Sequence, residues 1–228
     1  MTPAALFVRI PPLPAAIEPA WNRWYDVEHI AYRLALPGFT GARRYRIEHG
    51  PIRYVALYEL SGVDALTGSA YLAHRRWEEA LPNDRFESIA PNLDGFARGV
   101  YLQVAPQVAT FRPPPSRALL IVEVDSPRID EDALAEWFTE RHARSLDGVD
   151  GVLGTRLLQL EPSLLTRASG SRSDKPRAIV IHELSGAEVA SRVNFRAALG
   201  ASGITGDLLQ DGTASMLAVE VYSSFPPA

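Results

Sequence analysis

Side chains able to move protons, and aromatic rings to wall them in, crowd into one short stretch of this chain. Trp21, Trp24, Tyr25, Glu28, His29 and Tyr32 fall within twelve residues. On a 3.6-residue helical wheel Trp21, Tyr25, Glu28 and Tyr32 share one side, with Trp24 and His29 at its margins. A carboxylate facing aromatic rings loses solvation, so Glu28 is expected to hold its proton more tightly and to act as an acid or base near neutral pH. The competing reading is an ion pair between Glu28 and a strand arginine, with Arg43 the candidate. His29 carries the imidazole suited to proton exchange at physiological pH, or else is a hydrogen-bonded structural group. Tyr58, on a predicted strand, is placed to donate a hydrogen bond to a developing enolate or phenolate, or to cap a core with its hydroxyl at the surface.

The elements that must position these groups occur twice. Ala5-Leu6-Phe7-Val8 returns as Ala118-Leu119-Leu120-Ile121, and Trp24-Tyr25-Asp26-Val27-Glu28-His29 returns as Trp137-Phe138-Thr139-Glu140-Arg141-His142. Both pairs share an offset of 113 residues, as do Gly41-Ala42-Arg43 and Gly154-Thr155-Arg156. Tyr58-Glu59-Leu60-Ser61-Gly62 returns as His182-Glu183-Leu184-Ser185-Gly186 after an 11-residue slip. His142 and His182 are therefore the counterparts of His29 and Tyr58. The pattern predicts two βαββαβ units, the split βαβ arrangement, over residues 1–110 and 118–228. A proline-rich linker, 111–117, joins them, since Pro113-Pro114-Pro115 cannot continue a ladder.

In the first unit strands are expected near 5–10, 42–48, 53–60 and 100–104, with helices over 18–36 and 63–80. In the second, strands fall near 119–124, 154–160, 178–184 and 217–222, with helices over 131–146 and 187–199. The slip falls in 161–175, a loop that would serve as a lid or as a plain hairpin tip. His49 is expected in a turn. The apolar second face of each sheet needs a cover, and two such sheets cover each other. The expected fold is thus α+β, with tandem ferredoxin-like repeats whose antiparallel sheets pack into one intramolecular dimeric α/β barrel.

Composition narrows the function. Net charge is −4 and only Arg43, Arg44 and Arg46 cluster, which argues against nucleic acid or an anionic membrane as partner. The absence of cysteine excludes disulfides, thiolate metal sites and a cysteine nucleophile. No closely spaced metal-ligand cluster, glycine-rich phosphate loop or nucleophile elbow is present, so no metal is expected. No run of 18 apolar residues and no basic leader precede the first strand, so a cytoplasmic protein is expected.

The stretch Trp-Asn-Arg-Trp-Tyr-Asp-Val-Glu-His-Ile at 21–30, Leu-Pro-Gly-Phe at 36–39, Ala-Arg-Arg-Tyr at 42–45 and Ala-Leu-Tyr-Glu-Leu at 56–60 resembles the dimeric α/β-barrel superfamily, in particular EthD-like tandem proteins. The resemblance implies a ferredoxin-like pair with a pocket between each sheet and its own helices. It implies a scaffold shared by monooxygenases, haem proteins, isomerases and polyketide cyclases, and so leaves the reaction open.

The reading is a cofactor-independent enzyme acting on a hydrophobic, aromatic or polyketide-like molecule by proton transfer, as an isomerase, cyclase, dehydratase or lyase. His29, Glu28 and Tyr58 would be catalytic. Trp21, Trp24, Tyr25, Tyr32, Arg43, His142 and His182 would contact substrate. The rivals are oxygenation of a phenol without a cofactor and a non-catalytic, stress-related ligand-binding barrel. No cofactor is expected, with haem a minor alternative because one histidine suffices. The chain would act as a monomeric pseudo-dimer or a homodimer.

Overall fold

The computed structural model describes residues 2–47, 52–125, 130–164, 176–203 and 215–224, the last segment by its backbone alone. The turn at His49 and most of the 161–175 loop lie outside the described residues. The first half contains β1 (Ala4–Ile10), α1 (Glu18–Trp24), a π-helical turn (Tyr25–His29), α2 (Ile30–Leu34), β2 (Phe39–Arg46) and β3 (Tyr54–Leu60). It continues with α3 (Ser69–Glu79), α4 (Phe86–Ile89) and β4 (Ala97–Ala105). The second half contains β5 (Ala118–Asp125), α5 (Glu131–Trp137), a second π-helical turn (Phe138–His142) and α6 (Ala143–Leu146). It ends with β6 (Val152–Leu160), β7 (Ala178–Leu184), α7 (Val193–Ala201) and β8 (Ser215–Ser224).

Every strand pair is antiparallel, and the strands run in the closed order β1-β3-β2-β8-β5-β7-β6-β4. Within the first half the order is β4-β1-β3-β2, and within the second β8-β5-β7-β6, the same arrangement twice. The two sets meet where β2 pairs with β8 and β4 with β6.

Side chains along β3 and β7 alternate between two apolar environments, which is why these strands read as nearly continuous hydrophobic runs. On β3, Tyr54, Ala56, Tyr58 and Leu60 join the core beneath the first-half helices. Val55 and Leu57 join a separate core with Phe7, Leu119, Ile121, Ile179 and Ile181, inside the closed ring of strands. A third core lies under the second-half helices and includes Val122, Phe138, Val180 and Phe195.

Each predicted second helix is broken. Val63–Leu66 and Ala187–Ser191 form 3-10 turns before α3 and α7. Gly38 and Gly151 explain the repeated geometry: both adopt positive φ, at 87° and 89°. A Cβ at either position would stand 2.6 Å from Ala65 Cβ or Val189 Cγ2, so only glycine lets these 3-10 turns close on the strand entry. The segment between α3 and β4, for which the sequence offered no reading, folds into α4 and a further 3-10 turn over Ala90–Asn92.

Candidate functional site

The first helix does not keep the 3.6-residue phase assumed from sequence. At Tyr25–His29 the hydrogen bonding widens to the π pattern, with the Ile30 N–H donating to the Tyr25 carbonyl. A π turn inserts one residue, so each position beyond it is displaced around the axis. Trp21 and Tyr25 stay inward. The inward places expected for Glu28 and Tyr32 pass instead to His29 and Arg33. Glu28 is exposed, and Tyr32 is 50% exposed, whereas Arg33 is 5% exposed. The aromatic environment expected for Glu28 does not exist, and Tyr32 does not line the pocket.

Between α1–α2, α3, α4 and the sheet lies a cavity of about 220 Å³. Trp21, Trp24, Tyr25, His29, Arg33 and Tyr58 line its sheet and first-helix side, and Phe86 and Phe96 come from the segment after α3. The Trp21 indole N–H donates to the Phe86 carbonyl at 3.1 Å and ties α4 to α1. The His29 ring packs on Tyr25 and Trp24, with centroids 4.5 and 5.0 Å away, and stands 6.4 Å from Tyr58.

Three features give this cavity chemical capacity. The Tyr25 and Tyr58 hydroxyls share a hydrogen bond of 2.6 Å. One hydroxyl donates, which leaves the other's proton uncommitted to that bond and available to an oxygen placed in the cavity. Burial drives the Tyr58 pKa well above the phenolic range, and that of Tyr25 upward too, against the pull of Arg44 stacked 4.2 Å over its ring. Both phenols are therefore protonated donors. Burial and then the Arg33 charge push the His29 pKa well below its ordinary value, so its imidazole is neutral. Its Nε2 accepts a long 3.4 Å hydrogen bond from Arg33 Nε, which puts the ring proton on Nδ1. Arg33 in turn donates twice from Nη2 to the Glu78 carboxylate, at 2.7 and 3.0 Å.

The second half uses the same π turn differently. His142 Nε2 meets His182 Nε2 at 2.9 Å, His142 Nδ1 meets the Ser202 hydroxyl at 2.9 Å, and His182 Nδ1 donates to the Leu120 carbonyl at 3.1 Å. Both rings are 0% exposed. Burial lowers the His142 pKa to about 3 and the His182 pKa to about 4. With His182 donating from Nδ1, a neutral pair has His142 Nε2–H donating to His182, and the single Ser202 hydroxyl proton is shared between His142 Nδ1 and the Leu199 carbonyl 2.7 Å away. These two histidines form a sealed structural pair, not the substrate contacts expected for them. The second-half groove lined by Phe138, Leu146 and Thr155 includes neither.

Arg43 also lies away from the cavity. Its pairing with Leu57 across β2 and β3 puts it on the face inside the closed ring of strands, while the next residue, Arg44, pairs with Ala56 and faces the helices. Arg43 donates to both Glu183 oxygens at 2.7 and 2.9 Å, and its repeat counterpart Arg156 donates to both Glu59 oxygens at 2.8 Å. Arg43 reaches Glu59 as well, at 3.0 Å, closing a four-residue charge cluster that spans the halves. The ion pair proposed between Arg43 and Glu28 is replaced by this cluster.

Sequence reasoning missed Arg33, Glu78 and Arg98 as cavity residues. The phase slip that turns Arg33 inward has no compositional mark. Its only trace was the divergence of this position in the repeat, where Leu146 stands.

No known sequence family matches the chain, and no curated protein matches it. Solved structures do. A haem-binding protein from Thermus thermophilus has 11% identity and a TM-score of 0.57, covering 100% of this chain and 93% of its own. An anthrone oxidase-like protein has 10% identity and a TM-score of 0.57, covering 99% and 92%. Chlorite dismutase from Candidatus Nitrospira defluvii has 8% identity and a TM-score of 0.55, covering 98% and 91%. The fold is the ferredoxin-like α+β fold of these proteins. At such identities the likeness extends to the fold alone.

These findings correct one expectation outright. A chain of this fold binds haem, so the absence of a cofactor, inferred from motif spacing, does not stand as the leading expectation. The residues present here do not fit haem in this conformation. The cavity, at about 220 Å³, lies below the roughly 300–1,000 Å³ typical of ligand pockets. Arg33 Nε occupies the His29 Nε2 lone pair, and the ring nitrogens of His142 and His182 are taken within a closed core. Among the described residues no cluster of three metal-ligating side chains occurs, and no helix is long and apolar enough to cross a membrane.

Proposed function

We propose that this chain is a small-molecule enzyme that binds an oxygenated aromatic substrate in the first-half cavity and moves a proton at it. The observation that carries this reading is the neutral His29 beside a tyrosine pair with one uncommitted hydroxyl proton, all facing one aromatic-walled hollow. Tyr58, with Tyr25 behind it, would donate to a substrate oxygen as negative charge develops there. His29 would accept the proton after Arg33 yields its weak bond. Its low basicity restricts it to acidic protons, such as a phenol O–H or a C–H flanked by a carbonyl and a ring. Isomerisation, cyclisation and elimination all begin with that step. Trp21 and Trp24 would hold the ring. Glu28 has no part in it.

Oxygenation is the second reading, favoured by the fold shared with an anthrone oxidase-like protein. It starts from the same deprotonation: the carbanion takes up one O₂, and conversion of a ring CH₂ to C=O releases one water. Anthrone tests both. Under nitrogen in D₂O, the wild type is expected to accelerate deuterium exchange at its methylene, with H29A and Y58F each losing about 10²-fold or more. Under air, oxygen uptake above buffer marks oxygenation. Exchange and uptake both at the buffer rate would sink the catalytic reading. Haemin titration followed by the Soret band decides whether the cavity opens to a macrocycle.

We also propose that residues 1–110 and 118–228 are duplicated units joined by 111–117, and that the closed strand order is the intramolecular equivalent of a dimeric α/β barrel of the EthD-like kind. The recurrence of the π turn, the positive-φ glycine and the crossed Arg43–Glu183 and Arg156–Glu59 pairs at equivalent positions supports this.

A further inference from the structure

Arg98 sits on β4 opposite Val8, and it lines the first-half cavity. The other arginines there are engaged: Arg33 with Glu78, and Arg75 with Glu78 and Glu79. Among the described residues Arg98 has neither a hydrogen bond nor an ion pair, although it is partly buried. Arg33 adds a second vacancy, because its Nη1 is buried without a hydrogen-bond partner. The carboxylates lining the cavity do not complete these groups. Glu78 and Glu79 are held by Arg33 and Arg75; Glu87 has Arg85 3.9 Å away and a buried Oε2 without a hydrogen-bond partner, and it pairs with neither Arg98 nor Arg33. A buried guanidinium nitrogen such as Arg33 Nη1 is costly to leave without a partner, and Arg98, half-buried and lining the same cavity, is the uncommitted cation there among the described residues.

We propose that Arg98, with Arg33 Nη1, forms the anion-recognition end of this cavity, and that its ligand is a small planar aromatic carboxylate. The planar guanidinium fork matches a carboxylate in two-point geometry. The aromatic walls of Trp21, Trp24, Tyr25 and Phe86 suit a flat ring. About 220 Å³ is the share of roughly seven water molecules, which suits a compact, flat fused-ring acid and not an extended chain. The charge environment agrees. Burial, with Arg75 and Arg33 acting against the opposing pull of Tyr71 and Glu78, lowers the Arg98 pKa, so an incoming anion favours its charged form.

This inference deepens the proposed function by naming the substrate class, and it is tested by binding, without turnover. Calorimetry compares 2-naphthoate with 2-naphthamide, a neutral compound of the same shape. The wild type is expected to bind the acid at least tenfold more tightly. R98M is expected to remove that preference while binding the amide as before, and R98K to restore part of it. Equal affinities for acid and amide in the wild type would overturn the proposal, and so would no binding of either. R98M weakening both compounds by the same factor would also overturn it. Binding of the acid with no exchange or oxygen uptake on anthrone would leave this site standing and remove only the catalytic reading.

Discussion

The two halves carry the same π-helical turn on the same strand order, yet one encloses a hollow beside the histidine of that turn and the other closes the equivalent place. In the first half the turn delivers Tyr25 and His29 toward Tyr58, and α4 holds the walls apart. In the second, Phe138, His142 and His182 occupy the equivalent places and close on one another. Two substitutions account for much of the difference. Exchanging the Tyr58 position for His182 gives the imidazole beneath it a partner within reach. Exchanging Arg33 for Leu146 removes the cation that would oppose it. The lesson is that a fold sets where groups point, while two or three side chains decide whether that place is a vessel or a joint.

The contrast can be broken experimentally, and the charge cluster that ties the halves should give the largest effect. R156M leaves Glu59 buried with Arg43 alone, and stability in urea is expected to fall by about 3–5 kcal/mol. Unchanged unfolding would mean the cluster is not the clasp between halves. H182A comes next: it opens a cavity and strands the His142 nitrogen. A loss of about 1–3 kcal/mol is expected, with binding of 2-naphthoate in the first half unaltered. A matching loss of naphthoate binding would show that the two halves are coupled.

Acid titration sharpens the same comparison. His142 and His182 titrate at about 3 and about 4 when folded, against an ordinary 6.5. Below 6.5 the unfolded chain therefore binds protons that the folded chain refuses. Stability is full above about pH 6.5 and falls as pH drops through 6.5 toward 3–4, by up to about 1.4 kcal/mol per pH unit for each histidine. His29 contributes in the same direction. A double H142F/H182F variant should flatten that slope, and an unaltered slope would assign it to other groups. The smallest effect belongs to E28A and Y32A, exposed residues expected to change stability by no more than about 0.5 kcal/mol and anthrone exchange not at all.

Much of the scaffold was legible because repetition and alternation are written directly in residue types. The β7 range and the overall span of the helix over 131–146 coincide with those expected from periodicity alone. The cavity was half legible. Trp21, Trp24, Tyr25, His29 and Tyr58 were expected together and line one hollow. Glu28 and Tyr32 were misplaced because a wheel of constant pitch cannot represent a turn with one extra residue. Arg98 was invisible for another reason: it adjoins the helix side only through the β1–β4 pairing, and a single sequence gives no register between distant strands.

The crossed arrangement of Arg43 with Glu183 and Arg156 with Glu59 has an evolutionary corollary. Either half taken by itself holds one cation and one anion in the right places for a copy of itself. Two identical chains meeting head to head could thus complete the same square of charges that one chain now completes alone. On the proposed duplication, fusion would have changed the number of polypeptides without needing a new lock, and would have left one of the two equivalent places free to close.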